Sequence, residues 1–85
     1  MAKTEQDRLI ELRNQSANKQ FDALLKQNRK DFVYFAKEHM FFGKKLKKLH
    51  LMSTGASQEA IAEIDEELEY LKGELTKYSI YYSRR

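Results

Sequence analysis

The residues of this chain that could do chemistry are two histidines, a handful of serines and a crowd of carboxylates, and their spacing argues against each reaction in turn. His39 and His50 stand eleven residues apart, about 16 Å along one helix, which is too far to share an ion. Glu59, Glu63, Asp65, Glu66, Glu67 and Glu69 crowd one segment. A catalytic carboxylate pair needs one member desolvated to split the two pKa values, and most of these point around a helix into water. Neither a Glu-x-x-His motif nor EF-hand spacing is present. Ser16, Ser53, Ser57, Ser79 and Ser83 have no evident histidine and acid to activate them. The sequence also lacks Cys, a Gly-rich phosphate loop and a G-x-S-x-G elbow. A chain that is not an enzyme, with no cofactor and no metal, is expected.

What remains is binding chemistry, and it is basic and aromatic. Lys44-Lys45-Leu46-Lys47-Lys48 is the densest charge run, and Lys30 and Lys37 share the helical position of Lys44, one heptad apart each time. Lys30, Lys37, Lys44, Lys47 and Lys48 therefore predict a positive ridge on the outer side of one helix. A solvated face is the plain explanation. Phosphate, an acidic protein surface or anionic lipid is the functional one. A row of lysines attracts phosphate as point charges and reads little base sequence. The block from Phe32 to Phe42 is apolar nearly all round. Beyond one seam (Phe32, Phe35, His39, Phe42), Val33, Tyr34, Met40 and Phe41 point elsewhere, so this part of the helix is expected to be covered on more than one side. Tyr78, Ile80, Tyr81 and Tyr82, with Arg84 and Arg85, repeat the theme at the C-terminus.

The elements that carry these groups are helices. Eighty-five residues with 34% charged, no Pro and three Gly fit long helices and exclude a large core. After a break at Ser53-Thr54-Gly55-Ala56-Ser57, the apolar ladder Ile61, Ile64, Leu68, Leu71, Leu75, Tyr78, Tyr82 steps by three and four. Before it, Phe21, Leu25, Asn28, Phe32, Phe35, His39, Phe42, Leu46, Leu49 does the same. The spacing predicts a short N-terminal helix over about 4–13, capped by Thr4, and a weak break in the polar stretch 13–20. A long helix over about 19–52, a turn at 53–57 and a third helix over about 58–82 follow. Gly55 suits the turn and Ser57 the N-cap after it. The two long helices should fold back as an antiparallel hairpin, with Lys45 against Glu67 as the one ion pair inside the chain and Asn28 as a polar seam residue that fixes register.

One all-α domain of residues 1–85 is the expectation, with two copies joined in a dimeric bundle of coiled-coil character. Residues 1–52 carry twelve Lys/Arg against six Asp/Glu, and residues 53–85 carry four against seven. Opposite signs on the two arms bear on assembly and partners rather than on fold. No apolar signal core opens the chain and no run is long enough to span a bilayer, so a cytoplasmic setting is expected. The favoured function is a protein-binding module, an adaptor, inhibitor or assembly component. Val33, Tyr34, Met40 and Phe41 would supply apolar contact with the partner, and the lysines would steer it. Small single-domain chains of this composition are common among phage and mobile-element accessory factors, which is an analogy of size alone. Non-specific nucleic-acid binding along the lysine ridge is the alternative.

Overall fold

The computed structural model describes residues 4–83, with side chains described as far as Lys77. Three helices of similar length follow one another: α1 over Glu5–Leu25, α2 over Arg29–Ser53 and α3 over Gln58–Ser83. No strand occurs among the described residues. Tyr78 to Tyr82 and the terminal Arg84 and Arg85, singled out above, lie outside the described side chains.

The first helix is not short, and the chain does not break in the polar stretch 13–20. Thr4 caps α1 as its sequence suggests, its Oγ1 accepting from the Asp7 N–H at 3.1 Å. The helix then runs unbroken through Arg13–Gln20 and stops only at Leu25. Its buried residues are Leu9, Ser16 and Ala23, each seven apart. Two of the three are too small to register as an apolar ladder, yet small side chains are what let two helix backbones approach closely. Ser16 is fully buried, and its hydroxyl donates to Glu38 Oε1 of α2 at 2.6 Å. The polar stretch is thus the contact surface of α1, not a hinge.

The turn that ends α1 sits at Lys26-Gln27-Asn28, inside what the pattern assigned to the long helix. Gln27 is left-handed (φ 56). The Gln27 N–H returns to Leu24 O at 3.1 Å and the Asn28 N–H to Ala23 O at 2.9 Å, the paired closure of a Schellman motif. Asn28 is not a seam residue: its Oδ1 accepts from the Asp31 N–H at 3.2 Å and its Nδ2 donates to Asp31 Oδ2 at 2.9 Å. That reciprocal cap starts α2. The second turn repeats the device with a better residue. Gly55 is left-handed (φ 73), its N–H returns to Met52 O at 3.4 Å and the Ala56 N–H to Leu51 O at 2.9 Å. Ser57 Oγ then accepts from the Ala60 N–H at 3.3 Å and opens α3.

Both turns reverse the chain, so α2 runs antiparallel to each neighbour. Ser16 lies opposite Glu38, and Lys19 lies over the Phe35 ring, 5.5 Å from its centre. Advancing three residues on α1 thus retreats three on α2. On the other side Lys44 meets Glu67 and Lys37 meets Glu74, a heptad apart on both helices. Among the described residues α1 and α3 make no close contact with each other, and α1 packs on α2 more extensively than α3 does. The result is an open array with α2 in the middle. Its radius of gyration, 14.5 Å, exceeds the roughly 12 Å of a compact chain of this length.

Replacing Gln27 by Gly should raise unfolding free energy by about 1 kcal/mol, because it relieves a left-handed side chain. Gly55→Ala should lower it by a similar amount, and urea titration followed by circular dichroism measures both. Ser16→Leu should be worse than Ser16→Ala. The alanine loses one hydrogen bond (about 1 kcal/mol), while the leucine forces α1 off α2 at a cost of roughly 1–3 kcal/mol. Equal effects of the two substitutions would contradict a close helix approach there.

Candidate functional site

The side of α2 that meets α3 is electrostatic. Lys37 Nζ stands 3.4 Å from Glu74 Oε1, Lys44 Nζ 2.7 Å from Glu67 Oε2 and Lys48 Nζ 2.6 Å from Asp65 Oδ1. Three of the five ridge lysines are therefore engaged with the acidic helix of their own chain. They do not point away from it, as the hairpin drawn from the apolar ladder implied. The expected Lys45–Glu67 pair is also replaced: Lys44 takes Glu67, and Lys45 lies 4.8 Å above the centre of the Phe41 ring. A rotation of α2 accounts for both changes. The helix must share its apolar block with α1, so Phe35 and Glu38 turn toward α1 and the lysine row swings onto α3. Lys47 is exposed on α2, and Lys30 is exposed in its first turn.

Glu74 gathers three partners. Tyr70 Oη donates to its Oε1 at 3.1 Å, with Lys37 at the same oxygen and Lys77 3.4 Å from Oε2. The Tyr70 hydrogen bond, then the lysines, hold its carboxyl below the usual 4.5. Glu67 is lowered likewise, first by its bond to Lys44 and further by the charges of Lys44 and Lys47. Its Oε2 is shielded from water, while the side chain as a whole is about two-fifths exposed at 42%. Pairs this open contribute modestly and are screened by salt.

The four apolar residues expected to touch a partner are placed unequally. Val33, Tyr34 and Phe41 are half-buried. Tyr34 packs edge-on to Phe35, 5.1 Å between ring centres. Burial first, then the charge of Glu38 and the bond to it, push its phenol above the usual 10.0. Tyr34, Glu38 and Ser16 thus form one polar cluster at the α1–α2 contact, which no apolar pattern signals. Phe41 stacks edge-on against Phe42 at 5.7 Å. Met40 alone of the four is exposed.

Met40 and Lys44 form a crest between two grooves. One, of about 340 Å³, lies toward α1 and is lined by Arg13, His39, Gly43 and Lys47 besides the crest residues. The other, about 420 Å³, lies toward α3 and is lined by Glu66, Glu67, Tyr70 and Leu71. Sequence reasoning did not find Arg13 or Tyr70, because each comes to the crest from a different helix. A further apolar patch, Phe21, Leu24 and Leu25, occupies one side of α1 at its C-terminal end. Among the described residues no three His or carboxylate side chains converge as a metal ion requires. No helix among them is long and apolar enough to cross a membrane. Comparison with protein families, with curated proteins and with solved structures finds no match for this chain.

Both depressed carboxyls fix the sign of the pH response. Their unfolded value is 4.5 and their folded values lie lower, so their stabilisation is complete at neutral pH and is lost as pH falls below 4.5 through the folded values. Thermal unfolding followed from pH 7 to pH 3 should show that loss. Lys44→Met and Lys37→Met should each shrink it, and so should raising the salt concentration. An undiminished acid loss in both variants would remove the ion pairs as its cause.

Proposed function

We propose that this chain is a small non-enzymatic protein-binding module that docks through the Met40 crest, and that copies of it pair through the patch on α1. One observation carries the proposal, the inversion between what is hidden and what is shown. Among the described residues the buried apolar side chains are Leu9, Ala23, Ile64 and Leu71, only three of them large. Phe21 (60%), Leu24 (55%), Leu25 (68%), Met40 (51%) and Tyr70 (66%) are more than half exposed. Scattered exposed apolar groups are ordinary, but here they cluster, three on one turn of α1 and two across the α2–α3 groove.

Area points the same way. The chain exposes 6541 Å², against about 5,300 Å² for a compact monomer of 10.1 kDa. The surplus exceeds the roughly 800 Å² that each partner buries in an ordinary stable interface. A two-fold axis through this patch would set Phe21, Leu24 and Leu25 of one copy against the same residues of the other, as a homodimer contact requires. The crest differs: Met40 and Tyr70 supply anchors, and Arg13 and Lys47 ring them with positive charge that steers an acidic partner. Non-specific nucleic-acid binding along the ridge is less well supported, because Lys37, Lys44 and Lys48 already hold acids of α3.

Two measurements test the two surfaces separately. Light scattering after gel filtration should give a dimer for the native chain and a monomer for Leu24→Glu with Leu25→Glu. A photo-crosslinking residue at Met40 should trap a defined host protein that the same residue at Glu59 does not. Adding Tyr70→Glu should abolish the trapping while helicity is kept. A monomeric native chain, or equal trapping at both positions, would defeat the corresponding half.

A further inference from the structure

The groove between α1 and α2 has a lining that docking of apolar side chains does not use. Arg13 reaches it from α1, and His39, Lys44 and Lys47 reach it from α2. No carboxylate contributes to that lining. Lys44 is shared with Glu67 on its far side, and the charge of Lys47 also reaches Glu67 without an ion pair to it, whereas Arg13 and His39 make no hydrogen bond or ion pair with any other described residue. Unpaired cations are usually scattered over a surface, where they repel one another least. Here three basic groups from two helices border one concavity of about 340 Å³.

Gly43 is part of the lining. A Cβ added there would meet no atom within 4 Å, so close packing does not demand glycine at this point. What its missing side chain does is leave the space between Arg13 and Lys47 open. His39, Gly43 and Lys47 follow at intervals of four on one side of α2, which puts an imidazole and an ammonium one turn above and one turn below the gap. A guanidinium faces them from α1. Every polar group in this arrangement can donate and, save the imidazole, none can accept. That suits a compact multiply charged oxyanion with several acceptor oxygens.

We propose that this groove binds a phosphate monoester, with Arg13 and Lys47 holding the phosphoryl oxygens, His39 donating a further hydrogen bond, and the esterified group lying over Gly43 against Met40. A dianionic monoester matches the concentrated charge better than the single charge per residue of a phosphodiester backbone or of isolated carboxylates. The ester could be a free small molecule or a phosphorylated residue of a partner protein. The phosphate chemistry is common to both. This site shares Arg13, Lys47 and Met40 with the docking crest, but it is read out by binding of a monoester alone, so its failure and that of the docking reading are distinguishable.

The test is a 15N–1H NMR titration of the full chain with inorganic phosphate, then with O-phosphoserine and a phosphoserine peptide, at ionic strength held constant with NaCl. Saturable shifts are expected at the amides of Arg13, His39, Gly43 and Lys47. Gly43→Gln fills the groove without changing charge, and Arg13→Gln removes one holder. Each should weaken binding about tenfold or more, as the loss of a charge-assisted contact does, with helicity unchanged. Tighter binding of the peptide than of phosphoserine assigns the site to a partner's phosphorylated residue, and equal binding assigns it to a free ester. Non-saturating shifts spread over all lysines, binding of oligonucleotide but of no monoester, or unaltered affinity in Gly43→Gln would overturn the proposal.

Discussion

Because α1 and α3 do not meet among the described residues, α2 has to satisfy two neighbours at once, and it does so with two chemically different sides. Toward α1 it offers Phe35 and Glu38, met by Lys19 and the buried Ser16. Toward α3 it offers Lys37, Lys44 and Lys48, met by Glu74, Glu67 and Asp65. A helix of 25 residues cannot give the same apolar stripe to both partners. Leu9 and Ala23 are buried on the α1 side, and Ile64 and Leu71 on the α3 side, where ion pairs are added. The position of the crest follows from this division. Met40 lies on the arc that neither neighbour covers, which is why it stands exposed amid a half-buried stretch.

The opposite charges of the two arms acquire a structural meaning in this arrangement. The positive excess before residue 53 and the negative excess after it are matched between α2 and α3, with the Lys37–Glu74 and Lys44–Glu67 pairs a heptad apart in opposite directions and Lys48–Asp65 beyond them. Such surface pairs add little stability each, but like charges brought together by a shifted register would cost energy, so the row selects an alignment. Cations left out of that match, Arg13 and Lys47 above all, collect on the α1 side of the crest.

The all-helical class, the glycine turn and the third helix are legible in the sequence because their signals are large side chains and a residue with special backbone freedom. Gly55 and Ser57 do what their types suggest. The first turn is not legible, since Gln27 occupies the same left-handed position without any compositional mark. Asn28 happens to fall in step with the apolar ladder, so its capping role is masked by periodicity. The α1–α2 contact is hidden for a related reason. It rests on Ser16 and Ala23, whose value lies in what they leave out, and hydropathy cannot count an absence. Once α1 is granted its full length, the apolar block has a neighbour, and the rotation that sends Lys44 rather than Lys45 to Glu67 follows. The crest residues from α1 and α3 become visible only after that rotation.

The lack of contact between the outer helices among the described residues has a thermodynamic corollary. In a closed bundle each helix leans on all the others, and removing one exposes the core of the rest. Here, undocking the acidic helix uncovers only one side of α2 and leaves the Ser16–Glu38 junction as it was. An opening that frees the third helix alone would leave the first two joined. In that state the lysines that α3 had occupied face the solvent, and the molecule carries a cationic surface that its fully folded form keeps to itself.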